Sequence, residues 1–498
     1  MSSASLVRST FVIGGAQALS VVTAIIRTKL LALMLGPTGV GLLSIYGSLQ
    51  EVAAGAAGLG MTSSGVQKVA GTREDKEGLQ QLRSVLLVAM FAQGLMAMGV
   101  LWMLRFQLAD LLFSDPSRHL DVLVVGFTVT VSLVGAAWST TLQGLRRVDD
   151  LARLTALGPV LGSLFGLAAI WAFGEIGLLV LVAALPIGQL LVAFYYIRKV
   201  PGSLLSWNIS LADFASVWRQ LAALGVPLMA AGLLTAMTML IVRSYVLNIL
   251  GVIEAGIFYA VWMITINYVG FILAAMAADY FPYLTQTMDD TRARVTLVND
   301  QIQLGLAIAG PLLLVLIGWA PIVMQVLYSE EFQAGYAILQ WQIVGNVLRI
   351  SAWAMGFMLL ASSRGTAYFI VQLVFNAGFV CFFAIGIDHM GIGAAGPAFL
   401  AACIIHFALQ CGLARVMFEF RWNFVSISMQ VSYFVFGLGI FALASFSSFA
   451  AAILSMAVGA LSGVLGLRLI LNKVGPERRF TALIARGFAI LGWPIRGR

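Results

Sequence analysis

The sequence predicts an all-α polytopic membrane protein of about 14 transmembrane helices. Three observations carry this. Of 498 residues, 61% are hydrophobic and 10% charged, more apolar surface than a soluble chain of this length can hide. Apolar stretches of about 20 residues recur from end to end, each long enough to cross a hydrocarbon core of about 30 Å. None alternates in polarity over about 10 residues, as barrel strands would.

Each expected span is set off by a polar or breaking stretch. Residues 10–35 and 39–66 are parted by Leu-Gly-Pro-Thr-Gly, which a helix does not continue through unbroken. Residues 84–108 follow the charged Thr72 to Gly78 loop. Residues 121–143 and 152–173 enclose Arg146 to Asp150, and 177–197 follows the Gly174-Glu175 turn. Spans 221–248 and 256–281 flank Gly251 to Gly256. Span 303–327 ends before Ser329-Glu330-Glu331. Spans 336–360 and 368–387 flank Ser362-Ser363-Arg364, and 394–417 follows a glycine-rich turn. The last two, 427–446 and 449–471, are separated only by the weak break Ser445–Ser448. The longest polar connections, 198–220 and 283–301, are too short to be domains. The first apolar stretch contains charges and has no clear cleavage site, so it reads as a retained span.

Lysine and arginine set the orientation. With a cytoplasmic N-terminus, most of the 29 basic residues collect on the cytoplasmic side, in the 68–83, 146–153, 198–219, 292–294 and 415–421 segments and the C-terminal tail. The opposite loops are acidic: Asp110, Asp115, Asp121, Glu175, Glu254, Glu330, Glu331 and Asp388. Both termini are then expected to be cytoplasmic, and the net charge of +8 needs no nucleic acid to explain it. Cys381, Cys403 and Cys411 fall inside spans and read as small core residues. His406 reads as core too, and no histidine pair has metal-ligand spacing, so no metal site is expected.

Internal similarity comes next. Gly36-Pro37-Thr38-Gly39-Val40-Gly41 and Gly251-Val252-Ile253-Glu254-Ala255-Gly256 both keep glycine first and sixth, 215 residues apart. Arg146 and Arg364 end two further spans 218 apart. Similar offsets point to a duplicated six-span unit. Six is even, so the copies share orientation, related by an axis along the membrane normal. The expected organisation is an N-lobe at 1–200, a cytoplasmic linker at 201–220, a C-lobe at 221–420, spans 13–14 at 421–472 and a basic amphipathic tail at 473–498. The linker carries Trp207, Phe214 and Trp218, as an interfacial stretch would, and the tail mixes arginines with phenylalanine and leucine.

The stretch KLLALMLGPTGVGLLSIYGSLQEVAAGAAGLGMTSSGVQKVA, from Lys29 to Ala70, resembles the first two spans of bacterial O-antigen and related polysaccharide flippases. These form the polysaccharide-transport branch of the multidrug/oligosaccharidyl-lipid/polysaccharide exporter superfamily. Gly58-Leu59-Gly60, Val66 to Ala70, Ala277 to Gln286 and the basic exit of span 4 fit the same pattern. The resemblance implies two six-helix lobes around a central cavity, followed here by two C-terminal helices. It also implies alternating access and movement of a lipid-linked oligosaccharide, of the undecaprenyl pyrophosphate type, across the bacterial inner membrane for O-antigen, lipopolysaccharide or other surface polysaccharide synthesis. Membrane lipids and the oligosaccharide are the expected partners, polysaccharide polymerases are compatible ones, and a monomer is expected.

Four basic residues remain inside spans: Arg27, Lys29, Arg243 and Arg349. A basic side chain at mid-helix costs about 2.5–3.5 kcal/mol on insertion scales, so it faces a cavity or a partner. Arg27 precedes Gly36 by about 13 Å of helix and Arg243 precedes Gly251 by about 12 Å, a matched depth. Guanidinium forks suit phosphate oxygens, so Arg27, Arg243 and Arg349 are the expected substrate contacts. Lys29 is a weaker candidate, since two residues turn a helix by about 200°. Glu51 is the one acid deep in a span, open to an ion pair with Arg27 or to a coupling proton or sodium ion. Asp279 is a gate contact or a second ion site. Tyr245, Tyr259, Trp262 and Tyr268 are aromatic enough to stack on sugars, but none stands out. No G-x-x-x-x-G-K-[ST] phosphate loop occurs, so no ATPase, enzymatic activity or resident cofactor is expected. A lipid II flippase of peptidoglycan synthesis and an ion-coupled multidrug exporter are the alternatives. The second sits less well with mostly basic deep charges.

Overall fold

The computed structural model describes residues 3–201, 210–362 and 364–474, without the side chains of 3–11, 228, 266–269, 271–275, 277–279 and 474. Every regular element among them is helical. They are α1 (Ser3–Gly58), α2 (Met61–Gly71), α3 (Lys76–Met103), α4 (Arg105–Phe113), α5 (His119–Gly144), α6 (Val148–Phe173), α7 (Ile176–Ile197), α8 (Leu211–Leu250), α9 (Val252–Gln286), α10 (Thr291–Leu327), α11 (Tyr336–Ala361), α12 (Gly365–Met390), α13 (Ala395–Phe418), α14 (Phe424–Phe446) and α15 (Ser448–Val474). Among the described residues, eleven stretches are long and apolar enough to cross a membrane. Two of these, Val12–Gly58 and Gly365–Phe418, each contain two consecutive helices, and Val252–Thr265 is a shorter apolar helix within α9. Together they account for the 14 expected spans. The weak break before the last one is real: Ser447 leaves helical geometry and caps α14, its N–H bonded to the Leu443 carbonyl.

α1 is two helices joined at Gly36, whose φ of 62° and ψ of −162° break the ladder. Only glycine takes such a conformation cheaply, and Pro37 then restarts the helix with a preset φ. Gly251, between α8 and α9, does the same at φ 100°, ψ 170°.

The described chain forms two compact units. The first comprises Met1–Ala260 with Leu327–Glu331, the second Val261–Val326 with Phe332–Arg498. The division runs through α9. The expected 201–220 linker is helical from Leu211, where Ser210 caps α8 by accepting from the Asp213 N–H at 3.1 Å. Trp207 and the tail from 475 lie outside the described residues.

In the first unit the helices meet through small residues, as lipid-embedded helices must when burial alone does not drive them together. A Cβ on Gly162 of α6 would lie 2.6 Å from the Ala184 carbonyl oxygen of α7. Arg118 ties one end together, reaching Asp121 at 3.4 Å and Glu175 at 2.9 Å, while Tyr46 of α1 donates to Asp121. In the second unit, Lys473 near the end of α15 pairs with Asp300 of α10 at 2.5 Å.

Backbone details recur along the chain. Arg147 and Arg364 both precede a helix with similar dihedrals (φ −78°, ψ 67° and φ −90°, ψ 54°), each donating its N–H to the carbonyl five residues back. The geometric counterpart of Arg364 is therefore Arg147, one residue beyond the Arg146 that the sequence comparison aligned. Gly174 and Gly391 end α6 and α12 at nearly the same angles (φ 60°, ψ −133° and φ 56°, ψ −140°).

Candidate functional site

The two glycine breaks bring the start of α9 against α1 at a close crossing in the first unit. A Cβ on Gly41 would sit 2.3 Å from the Val252 carbonyl oxygen, and one on Gly256 would sit 2.0 Å from that of Pro37. The contact is reciprocal: Gly41 with Gly256 and Pro37 with Val252 are each 215 apart. This crossing sets Tyr259 of α9 and Arg243 of α8 beside the C-terminal half of α1.

Arg243 is 6% exposed. Its Nη1 donates to Ser48 Oγ at 2.5 Å and to the Ser44 carbonyl at 3.3 Å, both on α1. Its guanidinium carbon lies 4.9 Å from the centre of the Tyr259 ring, in cation–π range. Nε is buried with no hydrogen-bond partner among the described residues. A donor in a charged fork left bare inside an apolar segment is costly and is the group a ligand oxygen would satisfy. Glu51, one helical turn beyond Ser48, is exposed and within electrostatic reach of Arg243. Among the described residues it forms no ion pair with Arg27.

Arg27, on the first half of α1, is partly buried. Its one hydrogen bond among the described residues is a long one, Nη1 to Ser163 Oγ of α6 at 3.5 Å, and its Nε too is buried without a partner among them. Tyr259 is within electrostatic reach of this guanidinium as well as of Arg243. The two arginines thus share an aromatic neighbour. They are not register equivalents, however: the offset of 215 pairs Arg243 with Thr28, which is also buried (3%), and pairs Arg27 with Val242. Lys29, about 200° round the helix from Arg27, is partly buried and engaged in an interaction of its own.

Arg349 belongs to the second unit. On α11 it lies against the rings of Phe375 and Phe399, at 5.3 and 5.8 Å. It lines a small cavity with Tyr368, His406 and Gln410. Asp279 is on α9 but outside the described side chains. The three cysteines are free, and among the described residues no group of three histidine, cysteine or acidic side chains could hold a metal.

Ser44, Ser48 and Ser163 escaped the sequence reading. Ser44 and Ser48 are spaced i, i+4 in an otherwise apolar span, the spacing that puts two hydroxyls on one face, and that was the available signal. Tyr259 was one aromatic among several, with nothing in the sequence to orient it.

These features define a polytopic helical membrane protein with basic side chains buried in its spans, and its fold is shared with solved structures of transporters. The inward closed structure of the lipid II flippase MurJ matches 93% of this chain and 99% of its own, with a TM-score of 0.71 and 13% identity. A multidrug resistance MATE family transporter of the MOP superfamily, in an inward-facing conformation, matches 82% of this chain and 98% of its own, with a TM-score of 0.63 and 18% identity. In sequence, the lipid III flippases of Escherichia coli (strain K12) and Shigella flexneri are 28% identical over 399 residues, 77% of this chain and 92% of theirs. No protein-family model matches.

Proposed function

We propose that this protein is a flippase that moves a lipid-linked oligosaccharide, of the undecaprenyl pyrophosphate type, across the bacterial inner membrane for O-antigen or other surface polysaccharide synthesis. The carrying observation is the pair of buried arginines in the first unit, each with an unpartnered Nε–H and both within reach of Tyr259. The similarity to lipid III flippases supports the substrate class. In this reading the phosphates are the recognised group, because they are the part of such a substrate that an apolar span cannot hold without fixed positive charge. Ser48 and Ser44 hold one end of the Arg243 fork against α1 and leave the other edge for phosphate oxygens. Arg27 supplies a second fork, within electrostatic reach of the same Tyr259. Alternating access then carries the headgroup between leaflets, with both termini cytoplasmic. A proton or sodium ion acting at Glu51 is the proposed coupling.

The lipid II reading is favoured by one observation: the MurJ likeness extends over 93% of the chain, past the first twelve spans. The two readings share the phosphate site and differ in the sugar. Proteoliposomes offered a lipid-linked O-antigen-type oligosaccharide or lipid II separate them. Protein-dependent translocation of the first alone supports the proposal, translocation of lipid II alone supports the second reading, and translocation of neither sinks both.

A further inference from the structure

We infer that the second unit contains a separate binding site for a halide-sized inorganic anion, formed by Arg349, His406 and Gln410. The site lies among α11, α12 and α13, and of the three arginines expected to meet the substrate's phosphates it takes Arg349 alone.

Three features converge. First, Arg349 carries a fixed charge within a transmembrane helix and makes no ion pair among the described residues; its neighbours are the faces of Phe375 and Phe399. Ring faces offset part of a desolvated charge, but they are far weaker partners than a counter-ion. Second, His406 of α13 is 7% exposed, and neither ring nitrogen has a partner among the described residues. A buried imidazole always presents an N–H, and one left without an acceptor bears its full desolvation cost. Third, both side chains line one cavity of about 60 Å³, with Gln410, Gln372, Tyr368 and Trp353. Gln410 is 2% exposed and packs against Gly356, where a Cβ would lie 3.0 Å from its Nε2.

The lining decides the ligand's sign. It holds a guanidinium, an imidazole, amides and a phenol, and no carboxylate. A cation would meet the Arg349 charge. Water would fit, since a cavity needs only about 10–15 Å³ per molecule, and would satisfy His406, yet it would leave the arginine uncompensated. One monovalent anion accepts from the guanidinium, the imidazole N–H and an amide at once. The volume suits a single ion and excludes a sugar-bearing headgroup.

Trp353 in the lining gives a local reporter, because iodide quenches indole on contact. Purified full-length protein in detergent is titrated with sodium iodide replacing sodium gluconate at fixed pH and ionic strength. A saturable quenching phase is expected, competed by chloride and bromide and missing from Trp353→Phe. In Arg349→Gln its apparent dissociation constant should rise at least about tenfold, the loss of a charge-assisted hydrogen bond. His406→Phe should weaken it less, and Arg349→Lys should retain part of it, which guards against a variant that merely misfolds. Purely collisional, linear quenching in the unaltered protein overturns the inference without reference to any variant. So does a saturable phase unchanged in Trp353→Phe. A phase displaced by inorganic phosphate and not by chloride also overturns it, and would return Arg349 to the substrate's phosphates. The test does not depend on the flippase reading, since it involves no transport.

Discussion

Replacing Arg243 by lysine keeps the charge and removes the fork, and the geometry sets the size of the effect. Nη1 already serves Ser48 and the Ser44 carbonyl. Nε is the donor without a partner. A lysine has one nitrogen at the end of a flexible stem, so it stays on the serine or turns to the ligand, and cannot hold both geometries. The loss is then about one charge-assisted hydrogen bond to a phosphate oxygen, about 1.5–3 kcal/mol, or roughly 10- to 150-fold in affinity. Ser48→Ala removes only the anchor and leaves the Ser44 carbonyl, so it should cost less than about tenfold. The expected order of initial translocation rates at limiting substrate is unaltered protein, Ser48→Ala, Arg243→Lys, Arg243→Ala. The assay is translocation of a lipid-linked oligosaccharide in proteoliposomes, with reconstituted protein quantified and thermal melting recorded alongside. Arg243→Lys transporting within twofold of the unaltered protein would refute the fork argument. A rate loss that merely tracks the fall in melting temperature would make Arg243 a structural tie between α8 and α1.

Three further outcomes are expected. In the same assay Arg27→Gln should lower transport at least about tenfold, as for any lost charge-assisted bond, while Lys29→Gln should be mild; the reverse order would show that the wrong face of α1 was chosen. Gly256→Ala should cost about 1–3 kcal/mol by overpacking the α1–α9 crossing. Gly41→Ala should do likewise, with the double variant less than additive because one separation of the helices relieves both, and full additivity in melting experiments would mean that the two contacts are independent. Finally, Thr72→Cys should resist an impermeant thiol reagent in intact cells after Cys381, Cys403 and Cys411 are replaced by serine; ready labelling would invert the topology.

The spans were legible because a hydrocarbon slab imposes a length, and 14 stretches of that length can be read directly. The breaks were legible where chemistry forces them, at Gly36-Pro37 and Gly251. What the sequence did not disclose is helix rotation. A span that is apolar all round gives little indication of which face meets protein, so neither the Ser48 anchor of Arg243 nor the His406 neighbour of Arg349 could be inferred. Residue spacing said that Arg27 and Lys29 diverge, and could not say that Ser163 lies near one of them. The same blindness explains the one-residue slip at Arg146: two adjacent arginines look alike until the hydrogen bond to Leu142 singles out Arg147.

The repeat and the charges follow different rules, and the contrast bears on function. The breaks at Gly36 and Gly251, the turns at Arg147 and Arg364, and the helix ends at Gly174 and Gly391 recur with offsets of 215 to 217, and the Gly41–Gly256 crossing is reciprocal. At Gly36, Gly174, Gly251 and Gly391 the positive φ permits few other residues, which is what a duplicated scaffold would retain. The intramembrane charges do not recur. Thr28 stands opposite Arg243 and Val242 opposite Arg27 at that offset, while an offset of 217 places Ser132, bonded to Gln50 at 2.9 Å, where the second half has Arg349. If the six-span unit is duplicated, a charge needed only to fold it should appear in both copies, because both would meet the same packing problem. Charges present in one copy alone answer a need that the two halves do not share. A substrate whose phosphates meet the protein at a single position in the transport path would be such a need, and it predicts that moving the charge to its repeat position, as in Arg243→Thr combined with Thr28→Arg, will restore folding more readily than transport.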